Sequence, residues 1–133
     1  MSGGVMQTIA MVLAGLAAAV HVYIFWLESF AWMRPSTWRV FGIATEEEAR
    51  TTRALAYNQG FYNLFLAITA GVGIVLLATG DDAAGRALIL AGCGSMAAAA
   101  LVLIAGSRAY AGAALKQGLL PLLAVVALGT SML

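Results

Sequence analysis

Four stretches of this sequence, at about residues 6–31, 55–79, 86–106 and 110–131, are each long and apolar enough to cross a bilayer, and little else remains. Crossing ~30 Å of hydrocarbon takes ~20 mostly apolar residues, wound as a helix because no water is there to satisfy open backbone groups. Of the 133 residues, 62% are hydrophobic and 10% are charged, against about 25% charged in an ordinary soluble domain. The chain therefore reads as an all-α membrane protein, one four-span domain over residues 1–133. Its only substantial connection is 32–54.

The few charges predict an orientation. Arg34, Arg39, Arg50 and Arg53 lie between spans one and two, Arg108 and Lys116 flank the turn between spans three and four, and Arg86 stands alone on the other side. Six against one places the first and third connections in the cytoplasm by the positive-inside rule. Short links imply antiparallel neighbours, hence an up-down four-helix bundle with both termini outside. The first span has no preceding Lys or Arg and outruns a signal-peptide core, so it reads as retained. A net charge of +1 gives no reason to expect a nucleic-acid partner. Cys93 has no second cysteine to pair with and reads as a small packing residue.

Local signals divide the connection. Arg34-Pro35 is expected to end the first helix, since proline supplies no N–H. Trp38, Val40 and Phe41 beside Arg34 and Arg39 suit a short segment at the headgroup level. Thr45-Glu46-Glu47-Glu48 has the form of a capping box, which starts the second helix near Glu46 and carries it unbroken to about Thr79. Gly80-Asp81-Asp82-Ala83 and Gly106 to Tyr110 read as tight turns, and Pro121 as a candidate kink in the fourth span.

Against this apolar background the polar residues of spans one and two stand out. At 100° per residue, Gln7, Ala10, Ala14, Ala17, His21, Glu28 and Trp32 share one stripe, opposite Ile9, Val12, Leu16, Val20, Tyr23 and Leu27. In span two, Asn58, Gln59, Tyr62, Asn63, Thr69, Ala70 and Gly73 face one way and Phe61, Leu64, Ile68, Val72 and Val75 the other. If Glu28 and Leu55 mark the same depth, helical rise brings His21 level with Tyr62 and Asn63, and Arg53 just below Glu28. The outer halves of the spans carry almost no polar groups. A continuous aqueous path needs polar lining throughout, so the pattern predicts a one-sided polar pocket between helices one and two, open to the cytoplasm or inner leaflet.

The stretch His21-Val-Tyr-Ile-Phe-Trp-Leu-Glu28 through Trp32, the segment from Arg39 to Gly42, and Ala54 to Ala67 (ALAYNQGFYNLFLA) strongly resemble a family of small four-span membrane proteins. This is the domain-of-unknown-function family numbered 1304, and the similarity covers nearly the whole chain. The resemblance implies the four-span fold and the choice of polar residues, but no reaction. A looser similarity to the membrane-associated proteins of eicosanoid and glutathione metabolism rests on Arg53-Ala54 followed by Asn58 and Tyr62-Asn63, with a tyrosine where those enzymes carry glutamate.

An ionised group at mid-membrane costs on the order of 3 kcal/mol on insertion scales, so His21 and Glu28 need partners, water or a ligand. His21 has three readings: a neutral imidazole bonded to Tyr62 or Asn63, a proton donor or acceptor, or a metal or haem ligand. With one carboxylate in reach and no second histidine, no metal site is expected and no cofactor is indicated. Glu28 reads as an ion-pair partner of Arg53 or Arg34, or as a proton-accepting carboxylate. The site expected is His21 and Glu28 for chemistry, with Arg53, Asn58, Gln59, Tyr62, Asn63 and Trp32 holding a small amphiphilic molecule. The alternatives are a proton-coupled transporter using His21 and Glu28, and a structural membrane subunit. The partners expected are the lipid bilayer and further copies of the chain, as a homo-oligomer, in a bacterial plasma membrane.

Overall fold

A computed structural model describes residues 3–133, and among these it contains five α-helices and no strand. They are α1 (Gly3–Ser29), α2 (Pro35–Phe41), α3 (Glu46–Ala78), α4 (Asp82–Gly106) and α5 (Ala111–Ser131), with a 3-10 turn at Arg108–Tyr110. All but α2 are long and apolar enough to cross a membrane. Val12, Leu16, Tyr23, Ile68, Val72, Val75 and Val126 lie exposed on the outside of the bundle. An apolar belt of that extent marks a multi-pass membrane protein.

The helix ends follow from local chemistry. α3 starts where its capping box requires: Glu48 N donates to Thr45 Oγ1 at 3.1 Å, and the Glu48 carboxylate accepts from Ala44 N at 3.2 Å. The first helix stops earlier than Pro35. The amides of Phe30 and Ala31 both donate to Trp26 O, ending α1 at Ser29. Pro35 instead opens α2, a position where a missing N–H costs nothing. α2 then folds back over the end of α1. Thr37 Oγ1 donates to Ala31 O at 2.7 Å, which also accepts from Arg34 N, and Trp38 Nε1 donates to Trp32 O at 2.8 Å, tying α2 to the link that follows α1. Gly42, at φ +70°, closes α2 in the left-handed conformation that glycine adopts without penalty.

α1 packs on α3 and α5, α4 packs on the same two, and α1 and α4 lie across the bundle from each other. The core is built from small residues, Ala10, Ala14, Ala17, Ala70 and Ala124, with Ile89, Cys93, Met96 and Leu128 filling between them. At three places glycine lets backbones touch. A Cβ on Gly85 would lie 2.5 Å from Leu77 N, one on Gly73 2.7 Å from Ile89 N, and one on Gly92 2.9 Å from Ala70 N. Pro121 is buried within α5, which continues through it to Ser131. On the face expected to meet lipid, Leu27 is buried and Phe61 and Leu64 are half-buried. Leu27 occupies the last turns of α1, where the chain doubles back.

Gly85→Ala should therefore destabilise the bundle by about 1–3 kcal/mol, the range for an overpacked methyl. Gly71→Ala, with nothing within 4 Å of the added carbon, should leave stability unchanged or improve it by up to ~1 kcal/mol. Thermal unfolding of the two variants in one detergent checks both.

Candidate functional site

At the end of the bundle where α1 stops, α3 begins and α4 turns into α5, the helices part around a cleft of about 560 Å³. Glu28 lines it from the end of α1, Trp32 from the link that follows, and Phe41 and Ile43 from α2 and the link beyond. α3 contributes Glu48, Thr52, Asn58 and Gln59, while Leu103, Tyr110 and Gln117 close it from the α4 and α5 side. A second cleft of about 520 Å³ lies between α4 and α5, but its walls are alanine, leucine, isoleucine and glycine. It offers no group for chemistry.

Trp32 is the buried floor of the first cleft. Its Nε1 donates to Ala49 O at 3.0 Å and to Thr52 Oγ1 at 3.2 Å, tying the end of α1 to the first turns of α3. Its ring lies against Phe41, centroids 5.2 Å apart and planes tilted by 50°. Tyr110 covers Gly42, its ring edge 3.7 Å from where a Cβ would sit. Three aromatic rings from distant parts of the chain thus wall one end of the cleft.

Glu28 is 8% exposed and accepts a hydrogen bond from Asn63 Nδ2, which also lies 3.3 Å from Gln59 O. No other group among the described residues donates to the Glu28 carboxyl. The expected pairing with Arg53 or Arg34 does not form. Arg34 instead stacks its guanidinium 5.1 Å above the Trp26 ring, and Arg53 is exposed on α3 outside the cleft. The ion pairs among the described residues are Arg50–Glu46 at 3.0 Å and Arg86–Asp82 at 4.0 Å.

His21 lies elsewhere than the expected geometry puts it. It is 2% exposed, and its Nδ1 is 2.9 Å from Ala17 O one turn back on its own helix. A carbonyl only accepts, so Nδ1 carries the proton and Nε2 is free of it in the neutral ring. His21 bonds to neither Tyr62 nor Asn63, because Asn63 meets Glu28 instead, seven residues further along α1 and ~10 Å away at ~1.5 Å per residue. The register is set by Ser29, whose Oγ donates to Tyr57 O at 2.9 Å, and by Gly60, whose missing side chain leaves room for Ser29 and the Phe25 carbonyl. Equal depth for Glu28 and Leu55 does not hold: Ser29 meets Tyr57 and Glu28 reaches Asn63, both further along α3 than that pairing puts them.

Tyr62 is 58% exposed and points away from the cleft. It stands two positions, about 200°, from Gly60, whose stripe of Gly60, Ala67, Ala70 and Gly73 takes the inward face of α3. Gln59, next to Gly60, flanks that stripe, whereas Asn58 sits as far round the helix from Gly60 as Tyr62 does; both Asn58 and Gln59 are exposed and line the cleft. The structure thus gathers Glu28, Trp32, Asn58 and Gln59 around one space with Asn63 behind Glu28, and leaves His21, Tyr62 and Arg53 out. Glu48, Thr52, Tyr110 and Gln117 were not anticipated there. Gln117 carried a readable signal, as the single amide of the fourth span. Among the described residues no three His, Cys, Asp or Glu side chains come together to hold a metal ion.

A family model described as "Protein of unknown function (DUF1304)" matches residues 15–129. The chain belongs to this family. The match runs from the middle of α1 almost to the end of α5 and includes every residue that lines the cleft. No curated protein and no solved structure matches the chain.

Asn63→Leu removes the one donor to a buried carboxyl and should cost about 1–3 kcal/mol. Tyr62→Phe, on an exposed ring without a hydrogen bond, should stay within ~0.5 kcal/mol of the parent. Chemical or thermal unfolding of the two purified variants distinguishes these positions.

Proposed function

We propose that this protein binds a small amphiphilic molecule in the Glu28–Trp32 cleft, as an antiparallel up-down bundle in a bacterial plasma membrane with both termini outside. The observation that carries the reading is Glu28, a buried carboxyl at the wall of an open space with a single amide donor of its own. Burying a carboxyl with so little compensation is costly, and a ligand that completes its hydrogen bonding offsets that cost. The cleft volume lies within the ~300–1,000 Å³ of small-molecule sites, and its mix of apolar and amide walls suits a polar head on an apolar body. Asn58, Gln59 and Gln117 supply both donors and acceptors to the head.

In this reading Glu28 is the group available for proton transfer to a bound molecule. His21, sealed in the helix interface and bonded to its own backbone, serves packing. Transport is disfavoured by the middle of the bundle, where Ala10, Ala14, Ala70 and Gly73 close the interior, with the Gln7–Arg86 contact lying beyond them at the far end. The positive-inside rule puts the cleft on the cytoplasmic side, because Arg34, Arg39, Arg50, Arg53, Arg108 and Lys116 cluster around the same connections.

Extraction of the purified protein followed by mass spectrometry should yield one amphiphile enriched over the bulk membrane lipids, and the Asn58→Leu/Gln59→Leu variant should lose it. An extract identical to bulk lipid in both proteins would refute ligand binding. A reporter fused to the C-terminus should be active only when outside the cytoplasm; the opposite result reverses the orientation.

A further inference from the structure

We infer that the head group bound in the cleft is cationic, an alkylammonium or similarly charged amine, held by the carboxyl of Glu28, with Glu48 a second acidic group further along the same cleft and Trp32, Phe41 and Tyr110 among its walls. This rests on the ligand-binding reading above and adds the charge of the ligand to it.

Three observations point the same way. The charged side chains lining the cleft are both acidic, Glu28 and Glu48, and no Lys, Arg or His lines it. Arg53 and Lys116, next in sequence to the lining residues Thr52 and Gln117, are exposed and outside the cleft. An anionic head at Glu28 would therefore meet a carboxyl, with no cation among the lining residues to receive it. The second observation is the carboxyl of Glu28 itself. Buried to 8% exposure, it takes one hydrogen from Asn63, and no described residue donates to its second oxygen. An ammonium brings N–H donors and the opposite charge to the place where both are lacking.

The third is the aromatic wall. Trp32, Phe41 and Tyr110 line the cleft, with the Trp32 and Phe41 centroids 5.2 Å apart. Aromatic rings attract an organic cation through their quadrupoles and do little for a neutral alcohol beyond area burial. A bare metal ion fits poorly, since no three metal-binding side chains converge among the described residues. Glu48 is held at the rim by its own capping contact, with one carboxylate oxygen engaged by Ala44 N. It acts as a fixed second charge, while Glu28 makes the direct contact.

The test uses the full chain in phosphatidylcholine nanodiscs and equilibrium dialysis at neutral pH with radiolabelled decylamine, decanol and decanoate, subtracting uptake by empty nanodiscs. Decylamine is expected to bind at least about tenfold more tightly than the other two. Glu28→Gln should reduce that preference by about tenfold and Glu48→Gln by a smaller factor. Both variants keep an acceptor for Asn63 or Ala44, and their melting temperatures are measured alongside to establish folding. Equal binding of all three probes, abolished by Asn58→Leu/Gln59→Leu, would overturn the cationic head and leave amphiphile binding standing. No uptake above empty nanodiscs for any probe would overturn both. An amine preference unchanged in a folded Glu28→Gln/Glu48→Gln protein would overturn the assignment of these carboxyls.

Discussion

Close backbone approach at small residues is the interaction on which this fold depends. Within hydrocarbon, burying leucine against leucine gains little over burying it against lipid, so helices hold together where their surfaces fit. Gly73, Gly85 and Gly92 let α3 and α4 meet backbone to backbone. The alanines of α1 and α5 do the same with one methyl of clearance. One such contact has a chemical consequence. Because Gly60 lacks a side chain, Ser29 and the Phe25 carbonyl press into α3 there, and that register carries Glu28 to Asn63. The same crossing is surrounded by Phe25, Phe30, Tyr57 and Phe61, packed mostly edge to face, which fix it from outside.

Residue size along the bundle also accounts for where the cleft opens. Alanine and glycine dominate the interface away from the cleft, and the helices close on each other. Near the end of α1 the inward positions pass to Glu28 and Trp32, while Phe41 and Tyr110 enter from the connections. These side chains are too large for the same separation. α2 is tied down beside the widening by Thr37 and Trp38, which bond the Ala31 and Trp32 carbonyls of the link beyond α1. The cleft is thus a product of the sequence of sizes, with the folded-back connection satisfying the backbone around it.

Features governed by short-range chemistry were legible in the sequence. The Thr45–Glu48 capping box starts α3 at Glu46, and apolar periodicity places Ala10, Ala14, Ala17, His21 and Glu28 on the inward side of α1, with Trp32 buried just beyond its end. What failed depended on relations between helices. The height of α1 against α3 cannot be read from either helix alone, since it is set by Gly60 and Ser29 together. The face of α3 was judged by polarity, which favoured Tyr62, whereas packing gave the inward position to the smallest residues. Pro35 was read as a stop because proline ends helices. At the first position of a new helix the same missing N–H has the opposite meaning. Tyr110 and Gln117 escaped notice because they reach the cleft only through the tertiary arrangement of α4 and α5.

The Glu28–Asn63 contact bears on whether the polar residues serve structure alone. As a tie between helices it is a poor choice: a hydrogen bond between membrane helices is worth about 0.6 kcal/mol on average, and an apolar pair of the same shape would avoid the cost of a buried carboxyl altogether. The small-residue stripes already supply register without it. A carboxyl that adds little to packing, stands at the wall of a cleft and keeps an oxygen without a donor is better accounted for by what it can hold than by what it holds together. Asn63 then has a definite part. By taking one carboxyl oxygen it holds the group at the wall of the cleft, and in the proposed reading a ligand head supplies the donor that the other oxygen lacks.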